Sequence, residues 1–295
     1  MEAEFVQEAM GYFLWTPRCG DALAPCLSET QLRAAWGQSV HADVVWWAWH
    51  HGFPPEATEH VTPLHRVPRE PQGSLPPLRR KLALIGSGAG LWALPYRQLY
   101  SESTIEYICE PHRIMQEACT ALFHTQEPAP AIFGWAHEER TFQHAPAVHD
   151  MAVSIACAPF SEANRTYPAG VPGALAQLAG VVRLVRATRP WRIVIEQTGS
   201  LMKGSRLEAR AAYENILRQL VEHGYRVRRW RACPARDFYG IVQRNRVFYL
   251  IARCDRHDMA NWATGPGWQQ SHAAASSRGG QPVRPNDEQG PRAAS

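Results

Sequence analysis

Between residues 81 and 253 the sequence alternates between short apolar runs and longer stretches with apolar residues at helical spacing. Short apolar runs bounded by turn residues predict buried strands, and the longer stretches predict helices. Strands are predicted at 81–86, 104–110, 150–156, 191–197, 225–232 and 246–253, and helices at 111–123, 172–189 and 206–224. The alternation predicts an α/β fold with a mostly parallel sheet and helices on both faces. The last two strands have a shorter connection, so we expect them to pair antiparallel at an edge.

The composition is that of a globular protein, since hydrophobic residues make up 45% of the 295 residues and charged residues 20%. No uninterrupted apolar stretch is long enough to span a bilayer, and the N-terminal sequence MEAEFVQEAM lacks the features of a secretory signal. The seven cysteines include no Cys-x-x-Cys pair, so neither a zinc site nor a disulfide framework is indicated. We therefore expect a protein of the cytoplasm or nucleus, with no membrane partner and no metal.

Arginines are concentrated in one stretch, although the formal net charge of the chain is only +4. They are Arg226, Arg228, Arg229, Arg231, Arg236, Arg244 and Arg246. One interpretation is a solvated face of the protein. The other is a surface that contacts phosphate groups, because the guanidinium fork matches phosphate oxygens and its charge displaces counterions.

The composition also divides the chain into four segments. Residues 1–50 are expected to be ordered and mostly helical, with Ser28 as a candidate helix cap. Residues 51–80 are rich in proline, which predicts a linker. Residues 81–256 contain the alternating pattern and form the predicted α/β domain. Residues 257–295 are small, polar and rich in proline and glycine, which predicts a disordered tail.

The segment LIGSGAGL, residues 84–91, follows a predicted strand and opens a predicted helix. Gly88 and Gly90 let the backbone approach a ligand there, and the helix N-terminus offers free N–H groups. Glu110 ends the next predicted strand, where a carboxylate can hold ribose hydroxyls. The pattern predicts a cofactor that contains a nucleoside, and both a dinucleotide and S-adenosyl-L-methionine (SAM) fit it.

Two more chemically active residues stand at the ends of predicted strands. Cys157 follows the strand 150–156 and precedes a proline turn, and Glu196 lies near the end of the strand 191–197. Open α/β sheets bind ligands at the carboxyl ends of their strands, so both side chains are expected near the cofactor. Cys157 is either a buried, inert thiol or a nucleophile. Arg244 and Arg246 enter the last apolar strand, where a buried guanidinium requires an anionic or carbonyl partner.

These features and their order resemble the motifs of the DNA cytosine-5 methyltransferase family. GSGAGL resembles the family's Phe-x-Gly-x-Gly-Gly loop, with Gly88 and Gly90 as the matching glycines. CAPFS resembles the family's Pro-Cys-Gln-Pro-Phe-Ser loop and places Cys157 on the nucleophile. IEQTG stands where the family has Glu-Asn-Val and places Glu196 on the catalytic acid.

Two further segments, one before the predicted linker and one at the start of the last predicted strand, add to the resemblance. The segment that ends in VQRNR resembles the family's segment that ends in Gln-x-Arg-x-Arg. An ungapped fit puts Arg244 and Arg246 on its two arginines but Val242 on its glutamine, and Gln243 takes that place only after a one-residue slip. SETQLRAAWGQSVHADVV resembles the family's last motif, Gly-Asn-Ser-Val, with Gly37, Ser39 and Val40 as the matches. Because that motif is normally C-terminal, the chain is expected to be circularly permuted, which close termini make tolerable.

The sequence departs from the family pattern at several places, of which two bear on the nucleophile and on target recognition. Ala156 and Ala158 replace the proline and glutamine that flank the family's nucleophile. In addition, only the predicted tail follows the arginine pair, where the family has its target-recognition domain. Recognition of a target sequence is therefore expected from a partner chain or from a segment outside this sequence.

The resemblance implies a Rossmann-like class I SAM-dependent methyltransferase fold, SAM as the cofactor and DNA as the partner. Cys157 would attack C6 of cytosine, Glu196 would share a proton with N3, and Arg246 and Arg244 would hold O2 and the nearby phosphate. The residues that would hold SAM are Gly88, Gly90, Leu91, Glu110 and Ser39.

Three alternatives stay open. One is a catalytically impaired relative that binds SAM or nucleic acid, because the residues around the nucleophile are altered. Another is an RNA cytosine-5 methyltransferase acting on tRNA, which has the same core. The third is a nicotinamide-dependent oxidoreductase, which the glycine loop and Glu110 permit but which leaves Cys157 and Glu196 unexplained.

Overall fold

A computed structural model describes residues 27–28, 30–31, 42–53, 79–86, 88–162, 164–232 and 245–257. The described residues form a seven-stranded sheet in the order β3-β2-β1-β4-β5-β7-β6. The strands are β1 (Lys81–Ile85), β2 (Thr104–Cys109), β3 (Ala131–Phe133), β4 (Asp150–Ser154), β5 (Arg192–Thr198), β6 (Tyr225–Ala232) and β7 (Arg246–Arg253). Strands β1 to β5 are parallel, and β7 lies antiparallel between β5 and β6. This arrangement is the class I methyltransferase fold, which confirms the predicted fold class and the antiparallel pair.

Helices cover both faces of the sheet. They are α1 (Ala42–His51), α2 (Ala93–Leu99), α3 (Arg113–Leu122), α4 (Glu139–His144), α5 (Val171–Thr188) and α6 (Leu207–Glu222), with short 3-10 helices at Ala158–Phe160, Gly199–Met202 and Gly204–Arg206. In β4, Met151 and Val153 belong to the core shared with α5 and α6. On the other face, Trp92 contacts Phe248 of β7. Because helices bury both faces of the sheet, the central strands consist of consecutive apolar residues and do not alternate between apolar and polar ones.

The predicted strands and helices are largely confirmed, with three differences at the level of single elements. Both β3 and α4 went unpredicted, because elements of three and six residues are too short to show a period. Strand β4 ends at Ser154 rather than at residue 156, so the chain leaves the sheet earlier than expected. The predicted end of α6 is confirmed by Gly224, which has a φ of +82° just beyond the helix.

Part of the N-terminal segment packs against the domain. Ser28 and Gln31 form a reciprocal cap, in which the Ser28 amide donates to Oε1 of Gln31 (2.8 Å) and the Gln31 amide donates to Oγ of Ser28 (3.4 Å). Trp49 of α1 is buried with its ring 5.2 Å from that of Tyr96 in α2. Most of the predicted linker, all but one residue of the predicted tail, and the candidate residues Ser39 and Arg244 lie outside the described residues. None of the described helices has the length and apolar character needed to cross a membrane.

A buried ionic cluster lies at the amino ends of β4 and β5. Nε and Nη2 of Arg192 donate to the two carboxylate oxygens of Asp150, each at 2.7 Å. Nη1 of Arg80 (3.1 Å) and the Tyr96 hydroxyl (2.5 Å) also donate to Asp150. Burial alone would raise the pKa of Asp150, but the two guanidinium groups, Arg192 first, lower it to about 2. The cluster therefore stays ionised and joins β1, β4, β5 and α2.

Candidate active site

The loop after β1 brings its backbone against the neighbouring strand β4. The Gly86 amide donates to the carbonyl of Cys109 at 2.7 Å, and Gly86 has a φ of +60°. A Cβ atom at Gly86 would lie 2.1 Å from the carbonyl oxygen of Ser154, so only glycine fits. Gly86 was not among the site residues predicted from the sequence. Its place as the first glycine after the strand was the signal that could have found it.

The two predicted glycines of this loop have different surroundings. Gly88 has a φ of +57° and lines the cleft described below, and a Cβ atom there would meet no atom within 4 Å. Gly90 instead packs against α3, where a Cβ atom would lie 2.9 Å from the ring of Phe123. Gly90 does not line the cleft. Its contribution is to the packing that positions the loop.

Glu110 directly follows the last residue of β2 and is only 3% exposed. Its Oε2 accepts a hydrogen bond from the Gly88 amide (2.9 Å), and its Oε1 accepts one from the His112 amide (3.1 Å). Burial raises the pKa of Glu110, and these two backbone hydrogen bonds offset part of the rise. The carboxylate is thus fixed to the glycine loop. It retains lone pairs for a further donor, since a carboxylate offers about four acceptor sites.

One cleft of about 1180 Å³ lies at the carboxyl ends of the strands. Five of the predicted site residues line it: Gly88, Leu91, Glu110, Cys157 and Arg246. Much of the remaining wall is apolar, and Ile114 (43% exposed) and Trp135 (37% exposed) present large apolar side chains to the opening. Gln31 of the N-terminal segment also lines the cleft. The cleft combines an apolar wall with a few polar groups, as small-molecule sites do.

Cys157 lies on the loop between β4 and α5. It stands three residues beyond Ser154, and its carbonyl accepts a hydrogen bond from the Phe160 amide (3.0 Å), which starts a 3-10 turn. Phe160 is fully buried and anchors this turn against Tyr213 of α6. Asn164 stabilises the loop further, because its Nδ2 donates to the carbonyl of Pro159 at 3.1 Å. The half-buried thiol is therefore held at the cleft wall rather than packed within the core.

Glu196 and Arg246 form an ion pair on β5 and β7. Nε of Arg246 lies 2.5 Å from Oε1 of Glu196, although its N–H does not point along the line of a hydrogen bond. Oε2 of Glu196 accepts a hydrogen bond from Oγ of Ser154 at 2.9 Å. Glu196 is 3% exposed, so its carboxylate is enclosed by these partners. Gln197, the next residue, is also buried and does not line the cleft.

The structure thus brings together most of the residues predicted from the sequence. The cleft is lined by a thiol and a guanidinium, and a buried carboxylate outside the lining touches the guanidinium. The same cleft is lined by a glycine backbone and a second buried carboxylate. Such a set of groups can hold a cofactor with a sugar hydroxyl together with a planar, polar acceptor.

The known proteins that this chain resembles are similar to it only at low sequence identity. The chain matches no protein-family model and no curated protein sequence significantly. Similar solved structures include the Dnmt2 methyltransferase of S. pombe (15% identity, 60% of this chain and 50% of that one, TM-score 0.40). A putative DNA modification methyltransferase encoded within an E. coli prophage (14%, 59% and 47%, TM-score 0.41) and the Entamoeba histolytica methyltransferase EhMeth (13%, 59% and 53%, TM-score 0.45) are also similar. The aligned region spans about half the length of each of these proteins.

Proposed function

We propose that this chain is a SAM-dependent methyltransferase that modifies C5 of cytosine in DNA through a covalent adduct with Cys157. The observation that supports it is the shared cleft. Cys157 and Arg246 line the same cleft as Gly88 and Glu110, and Arg246 touches Glu196. A nucleophile, an acid and an oxygen-binding cation beside a nucleoside subsite are what this reaction requires.

SAM is the cofactor expected for this fold, and the residues present fit it. The backbone at Gly88 is open toward the cleft, which leaves room for a ligand at van der Waals distance. The Glu110 carboxylate would accept the ribose hydroxyls. The apolar side chains of Leu91, Ile114 and Trp135 would line the adenine. When bound, SAM supplies a sulfonium methyl group to an attacking carbon.

The protein side chains would then act on the base in turn. Sγ of Cys157 bonds to C6 of cytosine, and the electrons of the C5–C6 double bond move into the ring. Glu196 shares its proton with N3, and Arg246 donates to O2, so the charge that develops on the ring is stabilised. C5 then takes the methyl group. Loss of the C5 proton to solvent re-forms the double bond and expels Cys157 as a thiolate, which leaves readily.

The target base must leave its stack to reach a cleft of this kind, which costs a few kcal/mol in a duplex and less in a single strand. Exposed arginines of the edge strand β6, such as Arg226, would contact the phosphate backbone. By its resemblance to the first arginine of the Gln-x-Arg-x-Arg segment of the DNA cytosine-5 methyltransferases, Arg244 would add a phosphate contact beside Arg246.

We also propose that the N-terminal segment takes the place of the family's last motif in a circularly permuted chain. Two observations support it. Gln31, which follows the Ser28 cap, lines the cleft. Trp49 of α1 packs on Tyr96 of α2, so the N-terminal segment also contacts the domain away from the cleft. In this arrangement residues 1–50 pack on the domain at 81–256, with residues 51–80 as the connection. Ser39 would contact the amino-acid end of SAM.

The direct test is methyl transfer from tritiated SAM to unmethylated genomic DNA, with RNA as a separate arm. We expect label in 5-methylcytosine of DNA and none with Cys157→Ser. An oligonucleotide containing 5-fluorocytosine should form a complex with the wild type that survives denaturing electrophoresis, because fluorine blocks the final elimination. Cys254→Ser is the matched control, since Cys254 is exposed and lies outside the cleft.

Each outcome of this test has a clear consequence. Label in RNA alone would replace DNA with RNA as the substrate while keeping the chemistry. SAM binding without transfer to either nucleic acid would contradict the enzyme and favour a binding protein. Transfer that survives Cys157→Ser would remove the covalent step.

A further inference from the structure

We propose that Ser154 is a positioning residue that holds Glu196 in the orientation needed to share a proton with N3 of the pyrimidine ring. This inference rests on the proposed function of the cleft. Ser154 is the last residue of β4, and its hydroxyl donates to Oε2 of Glu196 at 2.9 Å. No motif in the sequence singled it out.

The geometry assigns the two oxygens of Glu196 to different partners. Oε2 is held by Ser154, and Oε1 lies 2.5 Å from Nε of Arg246. Ser154 and Glu196 are also register partners across the β4–β5 pairing, so their side chains stand on the same face of the sheet. A hydrogen bond to one oxygen restrains rotation of the carboxyl group about its last bond. It therefore favours the orientation in which the other oxygen lies beside the guanidinium, where the polar edge of a pyrimidine would bind.

Ser154 is also the point at which three parts of the site meet. It lies three residues before Cys157 on the same strand-to-loop segment. Its carbonyl oxygen lies against the Cα of Gly86, where a Cβ atom would come within 2.1 Å. Its hydroxyl reaches Glu196. A shift at this residue would therefore move the nucleophile, the cofactor loop and the acid relative to one another.

The chemistry of a hydroxyl suits a partner that exchanges a proton. A serine hydroxyl is both a donor and an acceptor, so it can donate to the ionised carboxylate and accept from the protonated one. The Ser154–Glu196 contact can thus persist through a cycle in which Glu196 gives its proton to N3 and takes it back. Ser154 is half-buried and lines the cleft, so it differs from a hydroxyl that only satisfies a core group.

The test compares Ser154→Ala, which removes the hydroxyl, with Ser154→Thr, which keeps it. We expect kcat for methyl transfer to fall about tenfold in Ser154→Ala, the size of a lost hydrogen bond to a charged group, while the Kd for SAM stays within about twofold. Ser154→Thr should recover most of kcat. A second readout needs no cofactor: tritium release from [5-³H]cytosine in an oligonucleotide reports the addition of Cys157 alone and should slow in the same order.

Thr188→Val is the matched control, since the buried Thr188 hydroxyl donates to the Leu184 carbonyl at 2.9 Å and lies outside the cleft. Full kcat and full tritium release in Ser154→Ala would overturn the proposal. A fall in thermal stability equal to that of Thr188→Val, with unchanged rates, would also overturn it and leave Ser154 a structural residue. If the wild type itself transfers no methyl group and releases no tritium, the proposed function fails instead, so the two failures are distinguishable.

Discussion

Nε of Arg246 lies 2.5 Å from Oε1 of Glu196, and the two residues come from antiparallel strands that are joined through a long stretch of chain. Arg246 lines the cleft, and the pair places its cation directly beside a buried carboxyl group. In a pyrimidine, N3 is bonded to C2, which carries the exocyclic oxygen O2, so N3 and O2 lie next to each other on one edge of the base. A carboxyl group and a guanidinium side by side match these two neighbouring atoms.

The first prediction concerns this pair. Glu196→Gln keeps the shape of the side chain but cannot share a proton with N3, so kcat should fall by about 10²–10⁴-fold, the range for a lost general acid. The Kd for SAM should change little, because Glu196 does not itself line the cleft. Single-turnover methyl transfer and calorimetric SAM titration measure the two quantities.

The same pair allows a test of coupling. Arg246→Lys keeps the charge but loses the guanidinium fork, and should also lower kcat. Because the two side chains touch, the double variant should lose less than the product of the two single effects. Strictly multiplicative losses would show that the residues act independently, contrary to a shared contact with the base.

The second prediction concerns Glu110 and the affinity for SAM. Glu110→Gln removes a charged acceptor for the ribose hydroxyls, so the Kd should rise about 10–100-fold while kcat at saturating SAM changes less. Glu117→Gln is the matched control, because Glu117 is exposed on α3, where it pairs with Arg113. Equal Kd values for Glu110→Gln and the wild type would remove Glu110 from the cofactor site.

A pH dependence follows from the same residue. Burial raises the pKa of Glu110, so its carboxylate takes up a proton at a higher pH than an ordinary glutamate would. Since the ionised form is the one that accepts the ribose hydroxyls, the affinity for SAM should weaken as the pH falls through this raised pKa. Glu110→Gln should lack this part of the pH dependence. Parallel curves for the two proteins would contradict the assignment.

The third prediction compares two glycines. Gly86→Ala should destabilise the protein, by about 1–3 kcal/mol from the positive φ alone, with the clash against Ser154 added to it. Gly173→Ala is the control. It lies in α5, where a Cβ atom meets nothing within 4 Å, and it should stabilise the helix by roughly 0.5–1 kcal/mol. Urea unfolding of both variants measures the difference, and equal stabilities would contradict the close approach of the loop to β4.

Sequence reasoning found the residues that stand at strand ends, because a strand's carboxyl end is visible as the end of an apolar run. Gly88, Glu110, Cys157 and Glu196 were located in this way, and the bounds of β6 and β7 were predicted to the residue. The contacts that could not be predicted join strands that are neighbours in the sheet but far apart in the sequence. The bond from Ser154 to Glu196 spans 42 residues, and no local pattern reports such a pairing.

The ionic cluster was missed for the same reason. Arg80, Asp150 and Arg192 stand at the starts of three strands, where each alone looks like a surface charge that begins an apolar run. Only the parallel register brings them together, with Asp150 directly opposite Arg192. Charge at a strand start is ambiguous in a sequence, because both a solvated end and a buried pair give the same pattern.

The last prediction tests whether this cluster holds the fold. Asp150→Asn keeps the shape of the side chain but leaves two buried guanidinium groups without a counter-charge, which should cost about 3–5 kcal/mol of unfolding free energy. Asp255→Asn is the control, because Asp255 pairs with Arg253 but its side chain is 60% exposed. It should cost no more than about 1 kcal/mol. Denaturant unfolding at neutral pH measures both.

Acid should reproduce the effect in the wild type. The pKa of Asp150 is about 2 in the folded protein, against roughly 3.9 in an unfolded chain, so the unfolded chain takes up the proton first. The stabilisation is therefore complete above pH 4 to 5 and is lost progressively as the pH falls toward 2. Asp150→Asn should lack this component and show a shallower loss over that range. An identical slope in the two proteins would mean that Asp150 titrates as an ordinary carboxyl group and that the cluster contributes nothing to acid stability.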